Sequence, residues 1–145
     1  MKTRQKLFAR RGSGSHARRR GAAATEFAIV APVFLLMIIG IVELGRALMV
    51  QQVLINASRV GVRQAITLGA TTTEVEDAVE DYAASVAVPG VAASVTPNPA
   101  TAAAGDSITV TTSVGFNDVS WLASPWFLGG RTLSASSSMR KEGFE

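Results

Sequence analysis

The chain has 145 residues, enough for one small domain once an apolar segment is set aside, and its net charge of +3 conceals a strong asymmetry. Eight of the fourteen basic residues (Lys2, Arg4, Lys6, Arg10, Arg11, Arg18, Arg19 and Arg20) precede Gly21 with no acid among them, so the rest of the chain, six bases against eleven acids, is acidic. The absence of cysteine and the single histidine, His16, exclude disulfide scaffolds, thiolate metal sites and Ser-His-Asp catalysis; no cofactor, no metal and no enzymatic activity are expected.

Residues 1–21 form a basic leader that contains Gly12-Ser13-Gly14-Ser15 and has no apolar period, so disorder is expected there before any membrane contact. A basic arm is one way to bind nucleic acid. Its place directly before an apolar run favours a topogenic role instead, because Lys and Arg hold their end of a membrane segment in the cytoplasm, and no nucleic-acid partner is expected.

Residues 22–48 read as a transmembrane helix. The sixteen residues from Phe27 to Val42 carry no charge, and with Ala22 to Glu26 they approach the ~20 needed to cross the hydrocarbon core. Pro32 lies inside this run and predicts a modest kink. Glu26 is the one acid within it, and a carboxylate toward the bilayer interior costs on the order of 2 to 3 kcal/mol unless it finds a partner. Glu43 and Arg46 close the run on one helical face, three residues apart. They read as an exposed pair of little energetic weight that marks the outer membrane boundary.

Residues 49–145 read as an extracytoplasmic α+β domain that begins with a continuation of the same helix. Val50, Val53, Leu54, Ala57, Val60 and Gly61 recur at three- and four-residue steps, and a helix from Ala22 to Leu68 would be ~70 Å long, with Gly69 as its stop. The small residues Ala57 and Gly61 permit close helix contact, either with the chain's own sheet or with another subunit. Thr73 followed by Glu76 predicts a capping box for a second, shorter helix with an apolar stripe of Val75, Ala78, Val79, Tyr82, Ala83 and Val86. The acids Glu74, Glu76, Asp77, Glu80 and Asp81 suit the start of that helix electrostatically; cation binding is the other reading.

After Pro89-Gly90 the period changes to two. Val91, Ala93 and Val95, then Ile108 to Phe116, then Leu133 to Met139 predict three strands in a small antiparallel sheet whose apolar face is covered by the helices. The connection from Asn117 to Gly130 carries Trp121, Trp126 and Phe127, which either fold back over the sheet or form a partner-contact patch.

Four readings compete for the N-terminal segment. A cleaved secretory signal has only Gly45-Arg46-Ala47 as a cleavage candidate, and a twin-arginine signal lacks the residues expected after Arg10-Arg11 or Arg19-Arg20. A plain signal anchor fits the charges but leaves Glu26 without a role. The fourth reading rests on Gly21-Ala22-Ala23-Ala24-Thr25-Glu26-Phe27, which resembles the processing site of prepilins of the Flp (tight-adherence) class. Together with Pro32 and Glu43-Leu44-Gly45-Arg46, the segment from about 18 to 63 looks like the TadE-like family of pilus-assembly pseudopilins, and the strand ending near Met139-Arg140, with Glu142 behind it, is diffusely similar too.

The resemblance implies processing between Gly21 and Ala22 by a prepilin peptidase, residence in a bacterial cytoplasmic (inner) membrane with the N-terminus inside, and a minor pilin or pseudopilin-like role. It implies as partners other pilin-like subunits through the N-terminal helix and the inner-membrane proteins of pilus or secretion assembly. It also implies that Glu26, beside Phe27, meets the new N-terminus of a neighbouring subunit; stabilisation of its own helix end is the alternative. An uncleaved, single-pass anchored binding domain is the alternative function.

Overall fold

The computed structural model describes residues 14–141 and 143, with side chains from 21 onward; residues 1–13 of the leader and Glu142 lie outside the described residues. The long helix, α1, spans Gly14–Ala65 and so starts within the stretch expected to be disordered. A single glycine inside a helix costs about 1 kcal/mol relative to alanine, too little for Gly21 to end a helix that continues into three alanines. Pro32 lies within it, and at the far end Gly69 turns the chain with φ +78.

The chain divides into two compact units between Ile39 and Gly40. The N-terminal unit, from Gly21 to Ile39, presents apolar side chains along its described length, with Phe27 72% exposed and Val33, Phe34, Leu35 and Met37 also exposed. From Gly21, α1 is long and apolar enough to cross a membrane.

The second unit is an α+β domain. Its other helix, α2, spans Thr72–Ser85 and begins two residues earlier than Thr73 and Glu76 predict: Thr71 is the N-cap, its hydroxyl accepts from Glu74 N (3.3 Å), and Glu74 Oε2 accepts from Thr71 N (2.9 Å). Two overlapping Thr-x-x-Glu frames were available. The earlier one puts Ala70 and Val75, both buried, at the flanking staple positions, where the later frame would put Thr72 and Asp77. The stripe contributes Val75, Val79 and Ala83 to the core, whereas Val86 is exposed. The helix ends in a Schellman arrangement, Ala87 N–H to Ala84 O and Val88 N–H to Ala83 O, with Ala87 left-handed at φ 60 and Val88 buried.

The sheet is antiparallel in the order β1-β2-β3, with β1 at Ala92–Thr96, β2 at Ser107–Gly115 and β3 at Thr132–Arg140. Its register pairs Val95 with Val110 and Thr112 with Ala135. Ile108, Val110, Thr112 and Val114 point inward and are buried; the opposite face is almost entirely hydroxyl, and Ser107 and Ser138 share a hydrogen bond of 2.7 Å there. Phe116 does not prolong β2. It opens a single-turn helix, α3 (Phe116–Val119), and is buried in the core.

The C-terminal part of α1 packs on the sheet's inner face. Thr112, buried among apolar neighbours, donates its hydroxyl to Leu54 O (3.0 Å) with Ala135 O at 3.3 Å as a second acceptor; Ser58 Oγ meets Ser137 Oγ at 2.7 Å; Gln51 Nε2 donates to Ser134 O at 2.8 Å. Gly61 is the closest approach. A Cβ there would stand 2.6 Å from Val79 Cγ2 and 3.0 Å from Val110 Cγ1, so the Ala57–Gly61 face of α1 belongs to the chain's own core.

Candidate functional site

The residues expected at the processing end share one stretch of helix. Gly21, Ala22, Glu26 and Phe27 are all exposed on α1, and the Thr25 hydroxyl donates to Gly21 O at 2.9 Å, the carbonyl of the expected cut. Glu26 stands one helical turn after Ala22, on the same side.

Glu43 and Arg46 behave differently from an exposed pair. They are 1% and 6% exposed, and each engages backbone groups of loops rather than its neighbour on the helix. The Glu43 carboxylate accepts three consecutive N–H groups: Trp126 to Oε1 at 2.6 Å, and Phe127 and Leu128 to Oε2 at 2.9 and 3.1 Å. Successive N–H groups converging on one anion make a nest, and hydrogen bonds to an ionised acceptor are the stronger kind.

The loop is shaped for this grip. Gly129 admits no side chain, because a Cβ would stand 2.8 Å from Pro125 O; Gly130 takes a left-handed φ of +71 and donates its N–H to Asn117 Oδ1 at 3.0 Å.

Arg46 reaches the other way. Its Nε donates to Val119 O (2.7 Å), the last carbonyl of α3, and Nη2 donates to Ala87 O (3.4 Å) beyond α2, while the guanidinium lies 5.0 Å from the centre of the Trp121 ring. A planar fork that satisfies two carbonyls and stacks on an aromatic ring is arginine chemistry that a lysine would not reproduce. The acid and the base one turn apart on α1 thus fasten the connection after β2 and the exit of α2.

The aromatic loop does not fold back over the sheet. Trp121, Trp126 and Phe127 are 67%, 66% and 58% exposed, and the Phe127 ring lies against α1, 3.4 Å from where a Cβ of Gly40 would be. Leu122 and Leu128 are the half-buried side chains that seat the loop. The structure therefore brings Glu43 and Arg46 together with Trp121, Trp126 and Phe127. The acids of α2 form no such site: Glu74 serves the cap, and among the described residues no group of three or more acids and histidines is placed to hold a metal ion.

Sequence reasoning missed the reach of Glu43 and Arg46 into loops more than forty residues away. The available signal was the turn from Pro125 to Gly130, whose backbone donors had no strand to pair with.

Residues 21–63 match the model of the TadE-like protein family. The matched segment opens on Gly21 and takes in Glu26, Phe27, Pro32, Glu43 and Arg46. Neither the curated proteins nor the solved structures yield a match. The TadE-like segment points to tight-adherence (Flp) pilus assembly, and its apolar helix to a membrane.

Proposed function

We propose that the protein is a minor pilin or pseudopilin-like structural component of a Flp-type pilus or a related secretion assembly, matured by a prepilin peptidase after Gly21. The supporting observation is the TadE-like match, which begins at Gly21 and runs along a helix whose inner part is apolar and outward-facing. The basic leader holds the N-terminus in the cytoplasm, α1 crosses the inner membrane, and the α+β unit stands outside.

The mechanism is assembly, not catalysis. Cutting the Gly21–Ala22 bond exposes an α-ammonium at Ala22 beside the unpaired N–H groups of the first turn. Glu26 supplies the opposite charge, and in a bundle of such helices the low dielectric makes an unpaired carboxylate costly enough to select the register in which it meets a neighbour's ammonium. Phe27 and the apolar residues that follow supply the lateral surface for other pilin-like subunits and for the inner-membrane assembly proteins.

N-terminal sequencing of the membrane form tests the processing. Ala22 should be the first residue; an intact leader in cells with an active prepilin peptidase would leave the uncleaved anchored domain as the better reading. Glu26→Gln should insert normally and assemble poorly, and normal assembly of that variant would remove the register role.

A further inference from the structure

We infer that the loop from Ser120 to Gly130 is a second membrane contact, with Trp121, Trp126 and Phe127 seated at the boundary between lipid headgroups and acyl chains. This rests on the membrane-spanning reading of α1.

The loop's height along α1 is fixed by two contacts, Phe127 against Gly40 and the three N–H groups held by Glu43. Those residues bracket Val42, the last of the uncharged run, so the loop lies where the helix leaves the hydrocarbon. Within the same unit as the loop, Ile41, Leu44, Leu48 and Met49 are exposed on α1. Four exposed apolar side chains on these turns of α1 and three exposed aromatics on the loop are poor company for water and good company for lipid.

The chemistry of the loop agrees. No charged residue occurs from Ser120 to Gly130, and Trp is the residue enriched at membrane–water interfaces. Irregular backbone is tolerated near lipid only when its donors are satisfied from within, which Glu43 does for the three consecutive N–H groups at the aromatic tip. A carboxylate buried at this place thereby makes the loop's immersion affordable.

Trp121 and Trp126 are the only tryptophans in the chain, so its indole fluorescence reports on this loop alone. The full chain reconstituted in phosphatidylcholine–phosphatidylglycerol vesicles should emit to the blue of a water-exposed indole, resist quenching by aqueous iodide and lose intensity with lipid brominated near the headgroup more than with lipid brominated near the chain end. Trp121→Phe and Trp126→Phe then resolve the two rings. Emission open to iodide and insensitive to bromine overturns the proposal. So does a blue shift without bromine quenching that vanishes on dilution into excess lipid, which would assign the patch to a second copy. Alkaline carbonate extraction of the same vesicles separates the two readings: a chain that resists extraction while its tryptophans stay in water loses the loop contact and keeps the span, and a chain that is extracted loses both.

Discussion

Gly61→Ala tests whether the small-residue face of α1 is committed to its own domain or left free for a neighbouring subunit. The new Cβ would stand 2.6 Å from Val79 Cγ2 and 3.0 Å from Val110 Cγ1, and valine methyls yield poorly because β-branching restricts χ1. Overpacking of this kind costs about 1–3 kcal/mol, and contact with two stiff side chains on different elements points to the upper half of that range. Alanine's better helix propensity returns about 0.8–1.0 kcal/mol. The net loss is then about 1–2 kcal/mol, or roughly 4–16 °C in Tm at the 4–8 °C per kcal/mol typical of domains of 60–100 residues. Gly45→Ala is the control, since its Cβ would meet nothing within 4 Å and only the propensity gain applies. Thermal unfolding of the full-length chain in detergent, followed by circular dichroism, should rank Gly61→Ala below wild type and Gly45→Ala at or above it. Equal Tm values for the two variants would mean that the face is not packed as described, and would return it to the list of candidate subunit contacts.

Glu43→Ala should raise amide hydrogen exchange at Trp126, Phe127 and Leu128 while Val110 and Thr112 in β2 keep their protection; unchanged exchange at the three loop amides would refute the clamp. Ala87→Gly relieves a left-handed alanine, worth about 1–2 kcal/mol, against about 0.5–1 kcal/mol of added chain entropy in the unfolded state, so denaturant melts should show a gain of roughly 0.5–1 kcal/mol. Thr71→Ala should cost about 1 kcal/mol as the loss of an N-cap, whereas Thr73→Ala should stay within about 0.5 kcal/mol in the same melts.

Elements whose burial repeats regularly were readable in the sequence. The three- and four-residue steps of Val50, Val53, Leu54 and Ala57 and the alternation from Ile108 to Val114 correspond to α1 and β2 because one face of each is buried along its length. The α2 boundary was displaced because two Thr-x-x-Glu frames overlap and local capping alone does not rank them; the flanking side chains do. Phe116 falls in the inward phase of β2 and so reads as strand, yet the chain turns there into α3. Glu43 and Arg46 illustrate the larger gap. Spacing places them on one helical face, but their partners are carbonyls and N–H groups of distant loops, and backbone groups leave no residue-type signature. The exposure of Trp121 and Trp126 was equally illegible, since an aromatic loop reads alike whether it covers a sheet or faces outward.

The division of α1 between Ile39 and Gly40 bears on any shortened form made to study the second unit free of lipid. A start at residue 49, the first residue after the expected transmembrane segment 22–48, would retain every strand and both later helices. It would also discard Gly40, Glu43 and Arg46, leaving Trp126, Phe127 and Leu128 N–H without their acceptor and the Val119 carbonyl without its donor. The useful excision point lies at or before Gly40, and a preparation cut there carries several exposed apolar residues by necessity, so its solubility has to come from added polar sequence rather than from a later start.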